Sequence, residues 1–145
     1  SVTGLVNNTN EWRGGAVIAA MAMDCCFIDM TINSENSDGL GGVPAYQAAL
    51  QSLATEIAAV GTDVVISTPH AIGTANQGAT SNAYVAAAYQ VAINLNLPID
   101  DRYKKITPYA TWSSALYFDT LHLNAAGNRA KGFQIGRFIR AKSGA

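Results

Sequence analysis

Asp119 and His122 stand three residues apart in the run Phe118-Asp119-Thr120-Leu121-His122-Leu123-Asn124. In a turn, a carboxylate at that separation can reach back to the imidazole, fix its tautomer and stabilise its protonated form. A histidine held this way serves as a general base. A surface histidine beside a capped helix start has the same spacing, so the string alone leaves both readings open. The other histidine, His70, follows Thr68-Pro69 and is read as either a substrate contact or a loop histidine. With two histidines in the chain, a His-rich metal site is not expected. Cys25 and Cys26 are adjacent and are the only cysteines, so there is no CxxC redox or zinc motif. In a strand they would point to opposite faces, where a mutual bond would be strained, and buried free thiols are expected. Ser113 and Ser114 lie near Asp119, but nothing marks either as activated, and no G-x-S-x-G elbow occurs.

Composition narrows the partners. Apolar residues make up 49% of the 145 residues and charged residues only 13%, which argues against disorder and for a single domain. The formal charge of −1 supplies no basic field for nucleic acid or anionic lipid. The longest apolar stretch, residues 16–23, is too short to span a bilayer, so neither nucleic acid nor membrane is an expected partner. No signal-peptide pattern opens the sequence, yet a mature secreted protein would look the same. Location stays open, with a secreted, virion or cell-surface setting as the expectation.

The elements that must position these residues alternate. Residues 1–12 read as a loop and 13–23 as a short Ala- and Met-rich helix. Residues 25–30 form a short apolar run, as in a strand buried on both faces. Residues 33–43, rich in Asn, Ser, Asp and Gly, read as a loop. Pro44 opens a helix whose apolar face is Tyr46, Leu50, Leu53, Ile57 and Val60, with Gly61 as its cap. A strand at 63–68 stops at Pro69, and a polar loop runs to about Ser81. A helix over 82–94 leads to a short strand at 97–99, followed by an irregular stretch at 102–118. The last helix begins after Asn124, a good N-cap, with Ala126, Ala130, Phe133 and Phe138 on its apolar side, and fades near Arg140. This order predicts an α/β domain with a parallel sheet and right-handed crossovers. Ligands then sit beyond the carboxyl ends of the strands.

Asp119 to Gly127, in the pattern Asp-x-x-His-Leu-Asn-x-x-Gly, closely resembles the last block of SGNH (GDSL-type) hydrolases. Residues 24–33 resemble that family's third strand running into its Gly-x-Asn-Asp block. Residues 46–53 resemble the following helix, 63–69 the next strand, and 98–101 the short strand before the closing segment. Ser1 to Gly4 resembles the end of the block carrying an oxyanion glycine. The resemblance implies a three-layer α/β/α sandwich with a parallel, flavodoxin-like sheet, and a Ser-His-Asp esterase needing no metal or organic cofactor. His122 would be the base, Asp119 its partner, and Asn33 and the Gly4 N–H oxyanion donors. The implied substrate is a carbohydrate or other small molecule bearing acetyl or other small acyl groups.

Two departures qualify it. Thr31-Ile32-Asn33-Ser34 keeps only the asparagine of Gly-x-Asn-Asp, and β-branched Thr31 suits a positive-φ turn poorly. The block that carries the family's serine lies upstream of the residue matched to Gly4. Residues 1–145 therefore read as the C-terminal portion of one SGNH hydrolase-like domain. An upstream segment or second chain is expected to supply strands one and two and the serine. Without it the strand at 25–30 would expose an apolar edge, including Phe27 and Ile28. The competing reading is a non-catalytic glycan-binding or structural module, as in a phage tail or cell-surface assembly. Trp12, Tyr109, Trp112 and Tyr117 are sugar-stacking candidates in either case, though such aromatics more often serve packing. A nucleotide binder is disfavoured: Phe133 and Gln134 stand where a phosphate loop needs Lys and Ser/Thr.

Overall fold

The structure, a computed structural model, describes residues 17, 20–70, 79–106, 113–119 and 122–143. Three strands alternate with helices: β1 (Cys25–Ile28), α1 (Thr31–Asp38), a 3-10 turn (Leu40–Gly42), α2 (Val43–Ala59), β2 (Asp63–Ser67), α3 (Ala79–Asn94), β3 (Ile99–Asp100), α4 (Arg102–Ile106), α5 (Ser113–Leu116) and α6 (Ala125–Ser143). The strands are parallel in the order β1-β2-β3, with Cys26 opposite Val64, Ile28 opposite Ile66 and Ile66 opposite Ile99. Among the described residues β1 is an edge strand, as the sequence implied.

Side-chain alternation along the strands builds the layers. Ile28, Val64 and Ile66 face α2 and α3, joining Tyr46, Leu50, Leu53, Ile57, Tyr84, Ala88 and Val91 in the main core. Phe27 points the other way and meets Phe138 of α6 edge-to-face, with centroids 5.7 Å apart. Helices thus cover both faces, giving the expected three-layer α/β/α arrangement, incomplete in its sheet. Ile28 is consequently buried rather than exposed at the edge.

The helices α2, α3 and α6 lie close to where the hydrophobic period predicts them. Gly61, at φ +85, ends α2 as expected, whereas Val60 lies past its last turn and is exposed. Phe133, assigned to the apolar side of α6, is 64% exposed. The cysteines are free, but Cys25 is exposed and Cys26 half-buried, so the expected burial does not hold. Partial burial still pushes both thiols up, helped by the charge of Asp63 at Cys25 and by Cys25 at Cys26.

The main correction lies at 33–43, expected as a loop and found as α1 and the 3-10 turn. The local sequence is a poor helix former, because Asn, Ser and Asp compete with the helical backbone through their side chains. Tertiary contacts override this. Thr31 Oγ1 lies 2.7 Å from the buried Tyr46 hydroxyl. Tyr84 of α3 directs its hydroxyl at the carbonyls of Ser34 (3.1 Å) and Gly39 (2.9 Å). Buried Glu35 accepts a hydrogen bond from Ser81. The stretch at 102–118, expected to be irregular, likewise contains α4 and α5. Asp101 supports the start of α4: its Oδ1 accepts the Lys104 N–H at 3.0 Å.

At the carboxyl end of the sheet one side chain ties the strands together. Arg102 is 1% exposed. Its Nε donates to Asp100 at the end of β3 (2.7 Å), Nη1 to Asp29 just beyond β1 (2.5 Å) and Nη2 to Ser67 at the end of β2 (3.1 Å). Asp29 also accepts from Lys131 of α6 at 2.5 Å. Burial by itself would raise the Asp29 carboxyl. The Arg102 charge and the hydrogen bond and charge of Lys131 outweigh it and hold the group below its ordinary value.

Two outcomes follow from this cluster. Replacing Arg102 by Met removes the guanidinium from buried Asp100 and half-buried Asp29, leaving them only Lys105 and Lys131, and is expected to lower unfolding free energy by about 3 kcal/mol, read from urea denaturation. A carboxylate with a depressed folded pKa stabilises the fold above its unfolded value of about 3.9 and loses that contribution as pH falls through the folded value. The wild-type urea midpoint should therefore drop on acidification below about pH 4, and the drop should be shallower in Asp29→Asn.

Candidate active site

The described residues between Tyr117 and Asn128 form a closure leading into α6, held by local hydrogen bonds. Tyr117 and Leu123 form an antiparallel bridge, the Phe118 N–H donates to the His122 carbonyl (2.8 Å), and the Asn124 N–H donates to the Leu116 carbonyl (2.9 Å). Within this closure Asp119 holds His122 at two points. Its Oδ1 accepts the His122 backbone N–H at 2.6 Å, and its Oδ2 lies 2.7 Å from Nδ1 of the ring. Engaging Nδ1 leaves Nε2 as the ring nitrogen available to exchange a proton with a reacting group. The imidazole is 70% exposed and the carboxylate 43%, so the pair faces outward.

Asn124 caps α6, as its residue type predicted. Its Oδ1 accepts the N–H groups of Ala126 (2.9 Å) and Gly127 (3.0 Å), while its Nδ2 donates to the Ala115 carbonyl (3.0 Å). One side chain therefore fixes α6 against α5. Gly127 is buried against the end of α5: a Cβ there would run into the Leu116 carbonyl oxygen and lie 2.9 Å from Leu123 Cδ2. Asn128 Nδ2 closes the turn by donating to the Leu123 carbonyl at 3.1 Å.

Packing sets this loop over the carboxyl ends of the strands. Tyr117 is buried with Tyr103, Leu116 and Leu123. Tyr103 stands just past β3, and its N–H donates to Thr68 Oγ1, just past β2, at 2.9 Å. His70 is buried, and its ring packs 5.8 Å from that of Tyr117. It therefore buttresses the loop, in keeping with the loop-histidine reading. Tyr117, a stacking candidate from the sequence, is a packing residue, and its burial pushes the phenol upward. Asn33 lies in the first turn of α1, beyond the carboxyl end of β1. Thr31 opens that helix, so no left-handed turn is required of it. Ser113 and Ser114 open α5. Gly4, Trp12, Tyr109 and Trp112 lie outside the described residues.

The sequence reading did not single out Arg102, Asp29 or Phe118. The Asp100-Asp101-Arg102 run was the available signal for a buried ionic cluster, but its partners at 29, 67 and 131 are distant in the chain. Among the described residues, no group of three or more His, Cys, Asp and Glu side chains is placed to hold a metal ion. No described helix is long and apolar enough to cross a membrane.

Searches with the sequence match no protein-family profile and no curated protein. Solved structures do match. A lipase/acylhydrolase from Enterococcus faecalis superposes with a TM-score of 0.70 at 25% identity over 82% of this chain. The acetyl xylan esterase AlAXEase gives 0.69 at 20% identity over 80%. A catalytic mutant of Axe2, an acetylxylan esterase from Geobacillus stearothermophilus, gives 0.72 at 19% identity over 94%. This chain spans 62%, 67% and 66% of those three structures, respectively. Its architecture is SGNH hydrolase-like, in agreement with the resemblance carried by Asp119 to Gly127, and is shared with this lipase/acylhydrolase and these two acetyl xylan esterases.

The loop makes its own stability predictions. Asn124→Ala removes the cap and the tie to α5 and is expected to cost about 1–2 kcal/mol. Gly127→Ala forces the two helices apart and should cost about 1–3 kcal/mol, measured by chemical denaturation.

Proposed function

We propose that this chain is the C-terminal portion of a serine esterase of the SGNH type that removes acetyl or other small acyl groups from a carbohydrate. The observation that carries the reading is the two-point hold of Asp119 on His122, on a loop packed over the carboxyl ends of a parallel sheet. The acetyl carbohydrate assignment draws on the two acetylxylan esterases that share the fold.

In this mechanism a serine from an upstream segment attacks the ester carbonyl and gives its proton to His122 Nε2. Asp119, on Nδ1, orients the ring and stabilises the imidazolium. The carbonyl oxygen becomes an oxyanion, which Asn33 and the Gly4 N–H stabilise; each such donor is worth roughly 3–4 kcal/mol. Collapse expels the sugar alkoxide, which takes the proton from His122 and leaves an acyl-enzyme. Water then attacks the acyl carbon and gives His122 a proton, which returns to the departing serine oxygen as the free carboxylic acid forms. No cofactor enters these steps. The same upstream segment would pair with the edge of β1 and complete the sheet.

One observation favours the second reading, a non-catalytic glycan-binding or structural module. Thr31 and Ser34, which replace residues of the hydrolase pattern, are buried within α1. Hydrolysis of p-nitrophenyl acetate by the native protein separates the two. His122→Ala is expected to abolish turnover, and Asp119→Asn to lower kcat by about 10²–10⁴-fold. Equal rates in wild type and His122→Ala would leave the binding module standing.

A further inference from the structure

Phe118 is 83% exposed, more than any other large apolar side chain among the described residues. Leaving an aromatic ring in water forgoes the burial free energy that such a side chain ordinarily contributes. Leu40, Ile93 and Phe133 are also exposed, but they stand on helical elements away from the loop. Phe118 adjoins Asp119 within the loop itself.

The loop geometry sets its direction. Tyr117 and Leu123 form an isolated antiparallel bridge; beyond it the Phe118 N–H donates to the His122 carbonyl, while the His122 N–H turns to Asp119 Oδ1. Tyr117 and Leu123 pack together inward. Phe118 and His122, joined through this backbone bond, are both largely exposed. The same backbone closure that holds His122 also holds Phe118, whose ring stands open to solvent.

Resting on the esterase reading, we infer that Phe118 is a specificity-determining residue whose ring supplies an apolar face for a pyranose ring of the acylated carbohydrate, next to His122. The C–H groups of a pyranose face suit an aromatic ring, whereas a small aliphatic alcohol offers little surface to stack. Phe118 thus acts on the alcohol side of the ester, and the acyl group is held elsewhere.

The test compares two non-aromatic substrates, an acetylated xylo-oligosaccharide and propyl acetate, in the native protein. The ratio of their kcat/KM values is expected to fall about tenfold in Phe118→Ala, mainly through KM for the oligosaccharide, and to recover in Phe118→Trp. A ring that merely supports the fold would lower both substrates together; an unchanged ratio overturns the inference. If the wild type hydrolyses neither ester, the esterase reading fails, and NMR titration with the unacetylated xylo-oligosaccharide decides on Phe118. Binding that is lost in Phe118→Ala and kept in Phe118→Trp upholds the sugar platform. Equal binding in wild type and Phe118→Ala, or none to wild type, overturns it.

Discussion

Arg102 places a buried guanidinium where three parallel strands end. A cation removed from water must be repaid by short, well-directed hydrogen bonds, or the fold loses several kcal/mol. Here each strand contributes: Asp29 beyond β1, Ser67 in β2 and Asp100 in β3 all meet the same side chain. The fork geometry of guanidinium suits this task, since its donors diverge in one plane and reach several acceptors at once. Parallel strands share no hairpin to set their relative ends, so a cluster of this kind fixes the rim from which α1, the His70 segment and α4 depart. Through Asp29 it extends to Lys131 and so ties α6 to the same rim.

The loop carrying Asp119 and His122 is built on that rim by packing rather than by charge. Tyr117 faces inward toward His70 and Tyr103, which follow β2 and β3. Outward, the chain presents Phe118, Asp119 and His122. Asn124 and Gly127 then allow α6 to start at once, tight against α5. A pair of interacting side chains three residues apart gains little unless the backbone between them is held. The bridge from Tyr117 to Leu123 and the bond from Phe118 to His122 supply that restraint.

Legibility varied with the range of the deciding contact. The helix α2 was plain, because Tyr46, Leu50, Leu53 and Ile57 repeat at helical steps and all are buried. The Asn124 cap and the Asp119–His122 pairing were plain too, since every partner lies within a few residues. The helix α1 was not. Its residues favour turns, and what holds it helical comes from Tyr46, Ser81 and Tyr84, as many as 50 positions away. Phe118 escaped notice for a related reason: an aromatic residue beside apolar neighbours reads as core until the fold shows that it stands in solvent.

The amino-acid order alone determined the alternating α/β plan, the closing block with its carboxylate and imidazole, and the SGNH-type resemblance that block carries. Each depends on interactions within one turn or one element, where spacing dictates geometry. Tertiary structure alone decided that residues 31–38 form a helix, that Arg102 binds three strand ends, and that Phe118 rather than Tyr117 stands open to solvent. Those outcomes depend on which distant groups arrive at the same place, and loop closure over tens of residues leaves no local period to read.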